Sequence, residues 1–448
     1  MRLTGVLVIL SVACGGENRE TSNDNPSTET SMETSMETSM AATMATANTA
    51  RATDTLPANL PFGLLITYSP FDRNAQGNWV VPQPARLEML TRRNGEWSTQ
   101  VITDEDSNVF HKAMIYDPPG DAPPGVLTIG GMEAYVKLWR RGASGDWEAE
   151  TVWSESFGGE RNRMRDVEIG MLYGGTDAAL AIATHDQGVF ATIRREGDGW
   201  NVSMADAEAN TFVHEVEIGN LNGDDELEVY TTPSEPNTMQ GGTQSGRVLR
   251  YIPARTMTPT VVADLGNRHA KEIWVGDADG DGTDELYVAV EGLTRREGGN
   301  LDIVEPVEIR RYDADTPPDQ GVVIARIEGD HLMRFLTVGD VDGDGDKEMV
   351  AASFSRGLWL LRPGSNPRGE WSKESIDRES GGFEHASILT DLDGDGTDEL
   401  YVSSDNHGEV RRYVWINGSP RRSVIHRRAE PRSMITWNIT PAPAALIR

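Results

Sequence analysis

Apolar and polar residues alternate in short runs along most of the chain, and no stretch carries the three-to-four spacing of an amphipathic helix. The clearest unit reads HEVEIGNLNGDDELEVYTT from His214, then GRVLRYIP from Gly246, then TPTVVADL from Thr258. Alternation with a period of two, broken by Gly, Asn and Asp, predicts half-buried β-strands joined by tight turns. A third-strand motif returns seven times, as LEMLTRR, VKLWRR, VFATIRR, VLRY, VEIRRY, LWLLR and EVRRY. A turn before a fourth strand recurs around Trp97, Trp147, Trp200 and Trp371.

Acidic, Gly-rich loops begin at Asn220, Asp277, Asp340 and Asp391, with weaker counterparts near Asp117 and Met171. Their spacing, roughly 50 to 60 residues, suits a four-stranded propeller blade. The first unit opens on PFGLLITY, a second strand that lacks its partner, and RSMITWNIT, from Arg432 to Thr440, reads as a first strand with nothing after it. Joined, the two complete a blade and leave no open sheet edge. The expected fold is therefore an all-β, seven-bladed propeller of four-stranded blades, its ring closed by the C-terminal strand.

The loops carry the candidate chemistry. Asp277, Asp279, Asp281 and Glu285 stand at positions 1, 3, 5 and 9, with the Thr283 carbonyl at position 7. Asp340, Asp342, Asp344 and Glu348 repeat the pattern with the Asp346 carbonyl, as do Asp391, Asp393, Asp395 and Glu399 with the Thr397 carbonyl. Clustered carboxylates repel one another unless a cation joins them, and a hard cation such as Ca²⁺ takes six to eight oxygens. Three Ca²⁺ sites are expected, and a weaker fourth at Asn220, Asn222, Asp224 and Glu228, where Asp225 replaces the second glycine. The loops at Asp117 and Met171 have lost ligands and read as structural. An EF-hand also begins this way, but it needs an acid at position 12, where Val288, Ala351 and Val402 stand within strand-like runs.

The motif D-x-D-G-D-G-x-x-E-L-Y-V resembles the calcium loop of FG-GAP/VCBS repeats, the blades of integrin-α-type propellers, and the resemblance runs from about Pro57 to Thr440. It implies a structural ion between the first and second strands of a blade, in proteins that are mostly extracellular binding and adhesion modules, with some polysaccharide lyases. The Phe-Gly/Gly-Ala-Pro signature of integrin repeats is missing, so integrin-like ligand binding is not carried over.

Six residues before each loop stands a basic group: His111, Arg165, His214, Lys271, Arg334, His385 and, through the closure, Arg432. In a propeller these would ring the channel on the face opposite the calcium loops, where they could bind an anion. The other reading pairs each with an acid such as Asp166, Glu215 or Glu272. The third-strand Arg-Tyr is expected to pack between blades.

At the N-terminus, Met1 and Arg2 precede the short apolar run LTGVLVILSVA, which ends at Cys14, the only cysteine. This resembles a bacterial lipoprotein signal, so residues 1–13 are expected to be the signal peptide, with Cys14 lipidated. Residues 14–55, with the tandem ETSMETSMETSM, are expected to be a disordered tether, and 56–448 the propeller. The formal net charge of −30 argues against nucleic acid as a partner. The expected protein is a monomeric, extracytoplasmic lipoprotein of the cell envelope, outer membrane or surface, in contact with a membrane through its lipid alone. No hydrolase elbow, zinc motif or phosphate loop appears, so a non-catalytic module for a protein or glycan partner is expected. The alternatives are a polysaccharide lyase that uses His111, His214 or His385 and a purely structural envelope subunit.

Overall fold

The computed structural model of the protein describes residues 56–73, 79–158, 161–185, 187–236, 242–297, 300–428 and 434–448. The expected signal peptide, Cys14, the tether and Arg432 lie outside the described residues. Among the described residues no helix is long and apolar enough to cross a membrane.

Seven antiparallel sheets of four main strands form a β-propeller. The innermost strands of blades 2 to 7 are Phe110–Tyr116, Met164–Gly170, Phe212–Gly219, Ala270–Gly276, Met333–Gly339 and His385–Thr390. Blade 1 takes its innermost strand from the C-terminus: Met434–Pro443 pairs with Phe62–Arg73, from Phe62 opposite Pro443 to Pro70 opposite Met434. Closure by strands from both ends is as expected. The closing strand runs further than the RSMITWNIT segment, on to Pro443, because PAP continues the pairing along Phe62 to Leu64. Blade 5 also inserts a hairpin, Leu293–Glu297 with Asn300–Glu305, between its second and third strands.

Burial falls from the axis outward. The second strands Gly125–Gly130, Glu285–Val290 and Glu348–Ser353 are buried throughout, whereas the outermost strand Glu96–Asp104 is mostly exposed. An inner sheet covered on both faces favours continuous apolar runs, and an edge facing water favours polar ones. The core is divided into clusters that fill the clefts between adjacent blades. Met349, Ala351 and Leu361 of blade 6 pack with Tyr287, Ile309 and Ile324 of blade 5, and Leu64 and Ile439 of blade 1 pack with Tyr401 and Val410 of blade 7.

Ile439 is 2% exposed in the cleft between the two ends of the ring. Ile439→Ala is expected to cost about 2–5 kcal/mol in chemical denaturation. A loss below about 1 kcal/mol would mean that the closing strand is not an integral part of the core.

Candidate metal loops and channel

In three blades the loop after the innermost strand gathers its acids. Single oxygens of Asp277, Asp279, Asp281 and Glu285 lie within 4.8 Å of one another, as do those of Asp340, Asp342 and Asp344, and those of Asp391, Asp393 and Asp395. The first aspartate organises each turn: Asp277 Oδ1 accepts from the Gly280 amide at 2.7 Å and Oδ2 from the Gly282 amide at 3.0 Å. Asp340 and Asp391 do the same with Gly343 and Gly345, and with Gly394 and Gly396. Burial and then the Asp395 carboxylate beside it push Asp393 above the usual carboxylate range. Oxygens that share one Ca²⁺ at about 2.4 Å each lie no more than about 4.8 Å apart, so this all-oxygen donor set fits a hard cation.

Gly280 and Gly282 both adopt positive φ, 75° and 89°. At Asn220 only Gly223 does so, with φ 67°, since Asp225 resists the left-handed region. Here Asn220 Nδ2 donates to the Asp224 carbonyl and Arg255 pairs with Asp224 at 3.0 Å. No group of three acids forms in this loop.

The position-9 glutamates are placed differently from the expectation. Only Glu285 joins its aspartates, and even there Arg311 of the third strand lies 3.0 Å from Glu285 and 2.6 Å from Asp279. Glu348 and Glu399 stay outside their groups, held by Arg362 and, at 2.6 Å, by Arg412. Glu228 is bound by Arg250 at 3.1 Å. The Tyr287 and Tyr401 hydroxyls donate to Glu285 and Glu399, and the Val341 amide donates to Glu348 at 3.1 Å. The third-strand arginine therefore neutralises the closing acid inside its own blade, while the tyrosine beside it packs between blades as expected, Tyr251 on Phe190, Tyr312 with Tyr230 and Tyr413 with Val350.

Position 8 went unnoticed in the sequence. Asp284 Oδ2 accepts from the Asn220 amide at 2.7 Å, Lys347 Nζ donates to the Asp277 carbonyl at 2.9 Å, and Asp398 Oδ2 accepts from the Asp340 amide at 2.9 Å. Each reaches position 1 of the preceding blade, so the loops form a chain of latches. The recurring polar residue after the glycines was the available signal.

The basic ring lies at the opposite ends of the innermost strands. Arg165, Lys271 and Arg334 each occupy a bulge where the register slips by one residue, as does His111; His214 and Glu215 share another. In blade 1 the equivalent bulge, between the pairs of Thr67 with Asn438 and Tyr68 with Thr436, belongs to Trp437. Arg432, expected at this place, lies outside the described residues. The six described members are buried, their exposure running from 0% at His385 to 8% at Arg165.

Acid pairing holds for part of this ring. Lys271 Nζ lies 2.6 Å from Glu384 and 3.2 Å from Glu272, and Arg334 lies 2.9 Å from Glu291. Glu291 also faces His269 Nε2 at 3.0 Å. Below, Lys112 pairs with Asp166 at 3.0 Å and with Glu168. Burial and neighbouring acids hold Glu215 and Glu217 well above the usual range.

The FG-GAP-like repeat family matches residues 340–402, so the chain carries such a repeat from the loop of blade 6 to the second strand of blade 7. No curated protein matches the sequence. Among solved structures, a Lactobacillus plantarum protein is 9% identical with a TM-score of 0.53, covering 85% of this chain and 99% of its own. A Bacteroides fragilis protein described as a candidate 6-phosphogluconolactonase is 12% identical with a TM-score of 0.46, covering 87% and 99%. The likeness to the Lactobacillus plantarum protein speaks to fold alone.

His385 is a neutral imidazole between the Ser353 carbonyl, 3.0 Å from Nδ1, and the Ser380 hydroxyl, 2.7 Å from Nε2. Burial, opposed by the Ser353 carbonyl and supported by His407 and Arg411, lowers its pKa to about 4. A base depressed on folding stabilises above its unfolded pKa of about 6.5, and that stability is lost as pH falls toward 4. The stability advantage of wild type over His385→Gln should therefore shrink from pH 7.5 to pH 4, by a few kcal/mol at most. A gap that stays constant in melting curves across that range would refute the assignment.

Proposed function

We propose that the protein is a calcium-stabilised propeller, anchored outside the cytoplasm by a lipid on Cys14, that serves as a binding or scaffold module for protein or glycan. The observation that carries this reading is the convergence of aspartate oxygens within 4.8 Å in three successive blades. Asp277, Asp279, Asp281 and Glu285 would hold one ion, and the aspartates at 340, 342, 344 and at 391, 393, 395 one each. Bound Ca²⁺ supplies charge neutralisation and a rigid cross-link within each loop. The Asn220 loop, filled by its own amide and by Arg255, is not expected to bind. Resemblance to FG-GAP/VCBS propellers supports the extracytoplasmic setting, as does the N-terminal pattern. Of the three histidines the lyase alternative could use as proton carriers, His385 has both ring nitrogens engaged within the core, and His111 and His214 are buried with pKa values held well below the usual imidazole range.

The test is calorimetry with Ca²⁺ on the chain from residue 14 onward, carrying Cys14→Ser, beside melting curves with and without chelator. Three ions are expected to bind, each adding about 2.7 kcal/mol at a hundredfold excess over its Kd. Asp340→Asn should remove one ion and leave two. Absence of binding heat together with an unchanged melting temperature would leave the loops as turn chemistry only.

A further inference from the structure

The ring of basic residues has protein partners on one side only. Across blades 5, 6 and 7, Lys271 and Arg334 have carboxylate partners, and His385 is bonded through both nitrogens. Across blades 2, 3 and 4, His111 and His214 are 1% and 3% exposed, and all four of their ring nitrogens lack a hydrogen-bond partner. Leaving a buried donor unsatisfied costs about 1–3 kcal/mol, so a hydrogen-bonding partner for these groups is expected.

Arg165, on the blade between them, makes no ion pair with a carboxylate among the described residues, and its guanidinium lies 5.5 Å from the Trp437 ring. Glu272, on the next blade but one, is bridged to Lys271 at 3.2 Å. Burial, and then Arg165, hold both imidazoles well below their usual pKa, so each stays neutral and offers one N–H. Two neutral N–H donors and a guanidinium fork suit a group that only accepts hydrogen bonds and carries negative charge. Trp437 is half-buried, its Nε1 donates to Ser69 at 2.7 Å, and His111 meets its ring at a centroid distance of 4.3 Å. The remaining indole surface gives a ligand's carbon frame an apolar wall.

We propose that this arc binds one small carboxylate ligand, its carboxylate on Arg165 and the imidazole N–H groups of His111 and His214, and its ring or carbon frame against Trp437. This rests on the reading of the propeller as a binding module and names the chemistry that one end of the channel accepts.

The probe pair is glucuronate and glucose, which differ at the carboxylate, with inorganic phosphate as a third arm, titrated by calorimetry into the calcium-loaded Cys14→Ser chain. Glucuronate is expected to bind saturably and glucose not at all. Arg165→Gln should weaken glucuronate at least tenfold while calcium binding and melting temperature stay as in wild type, and Arg165→Lys should fall between the two. Should Arg165→Gln fail to fold, His214→Gln is expected to weaken glucuronate severalfold. Equal binding of glucose, no saturation by glucuronate, or unchanged affinity in the substituted chains would overturn the proposal. Tighter binding of phosphate would overturn the carboxylate assignment. Lost calcium stabilisation would count against the calcium reading instead, so the two failures are distinguishable.

Discussion

Each blade packs against its two neighbours, so the fold depends on one constraint above all: the ring must close. Closure rests on Met434–Pro443 hydrogen-bonding to Phe62–Arg73, a pairing of residues more than 360 positions apart, as in the bond of Trp437 to Ser69. Without it, blade 1 would lose its innermost strand and two apolar clefts would open, since Ile439 packs toward blade 7 and Ala442 toward blade 2. An open ring would also present two unpaired strand edges, a template for association with other chains. The repeated loops and latches act within a ring that this pairing has already closed.

The blades were legible because their signal is local. Period-two alternation, seven third-strand motifs and Asp-Gly turns each span a few residues, and they predicted the sheets. Register at the closure was not legible, because blade 1 has no acidic loop to count back from; Trp437 occupies the bulge there. The duty of Glu348 and Glu399 was hidden for a related reason. Carboxylates at position 9 look like ligands until the third-strand arginine is seen to reach them, and only the folded blade brings Arg362 and Arg412 there. Partners in the channel are more distant still: Lys271 meets Glu384 across 113 residues. No pattern along the chain links two such positions.

A chain with a net charge of −30 must still place cations where its acids are buried. It does so in layers along the innermost strands. One end carries the bulged bases, the next level Asp166, Glu168, Glu215 and Glu217 around Lys112, and the far end the aspartate loops. A bulge lets two consecutive residues face the axis, so one strand can present a base and an acid side by side, as His214 and Glu215 do. Charges then compensate between blades as well as along them, which ties neighbouring blades together through the channel.

The two ends of the strands differ in what they leave unfinished. At the loop end, the aspartates already accept backbone amides and the latches bind each loop to its neighbour, so an ion would complete an existing turn. At the ring end the accounts are unequal: Lys271 and Arg334 in blades 5 and 6 pair with carboxylates and both His385 nitrogens in blade 7 are bonded, whereas the ring nitrogens of His111 and His214 in blades 2 and 4 have no protein partner among the described residues. Repetition alone would give all blades the same partners. The asymmetry arises because Glu291 and Glu384 serve Lys271 and Arg334, and no described carboxylate does the same for Arg165. A closed ring with seven similar blades thus acquires one distinct side, and a directional binding site needs that inequality.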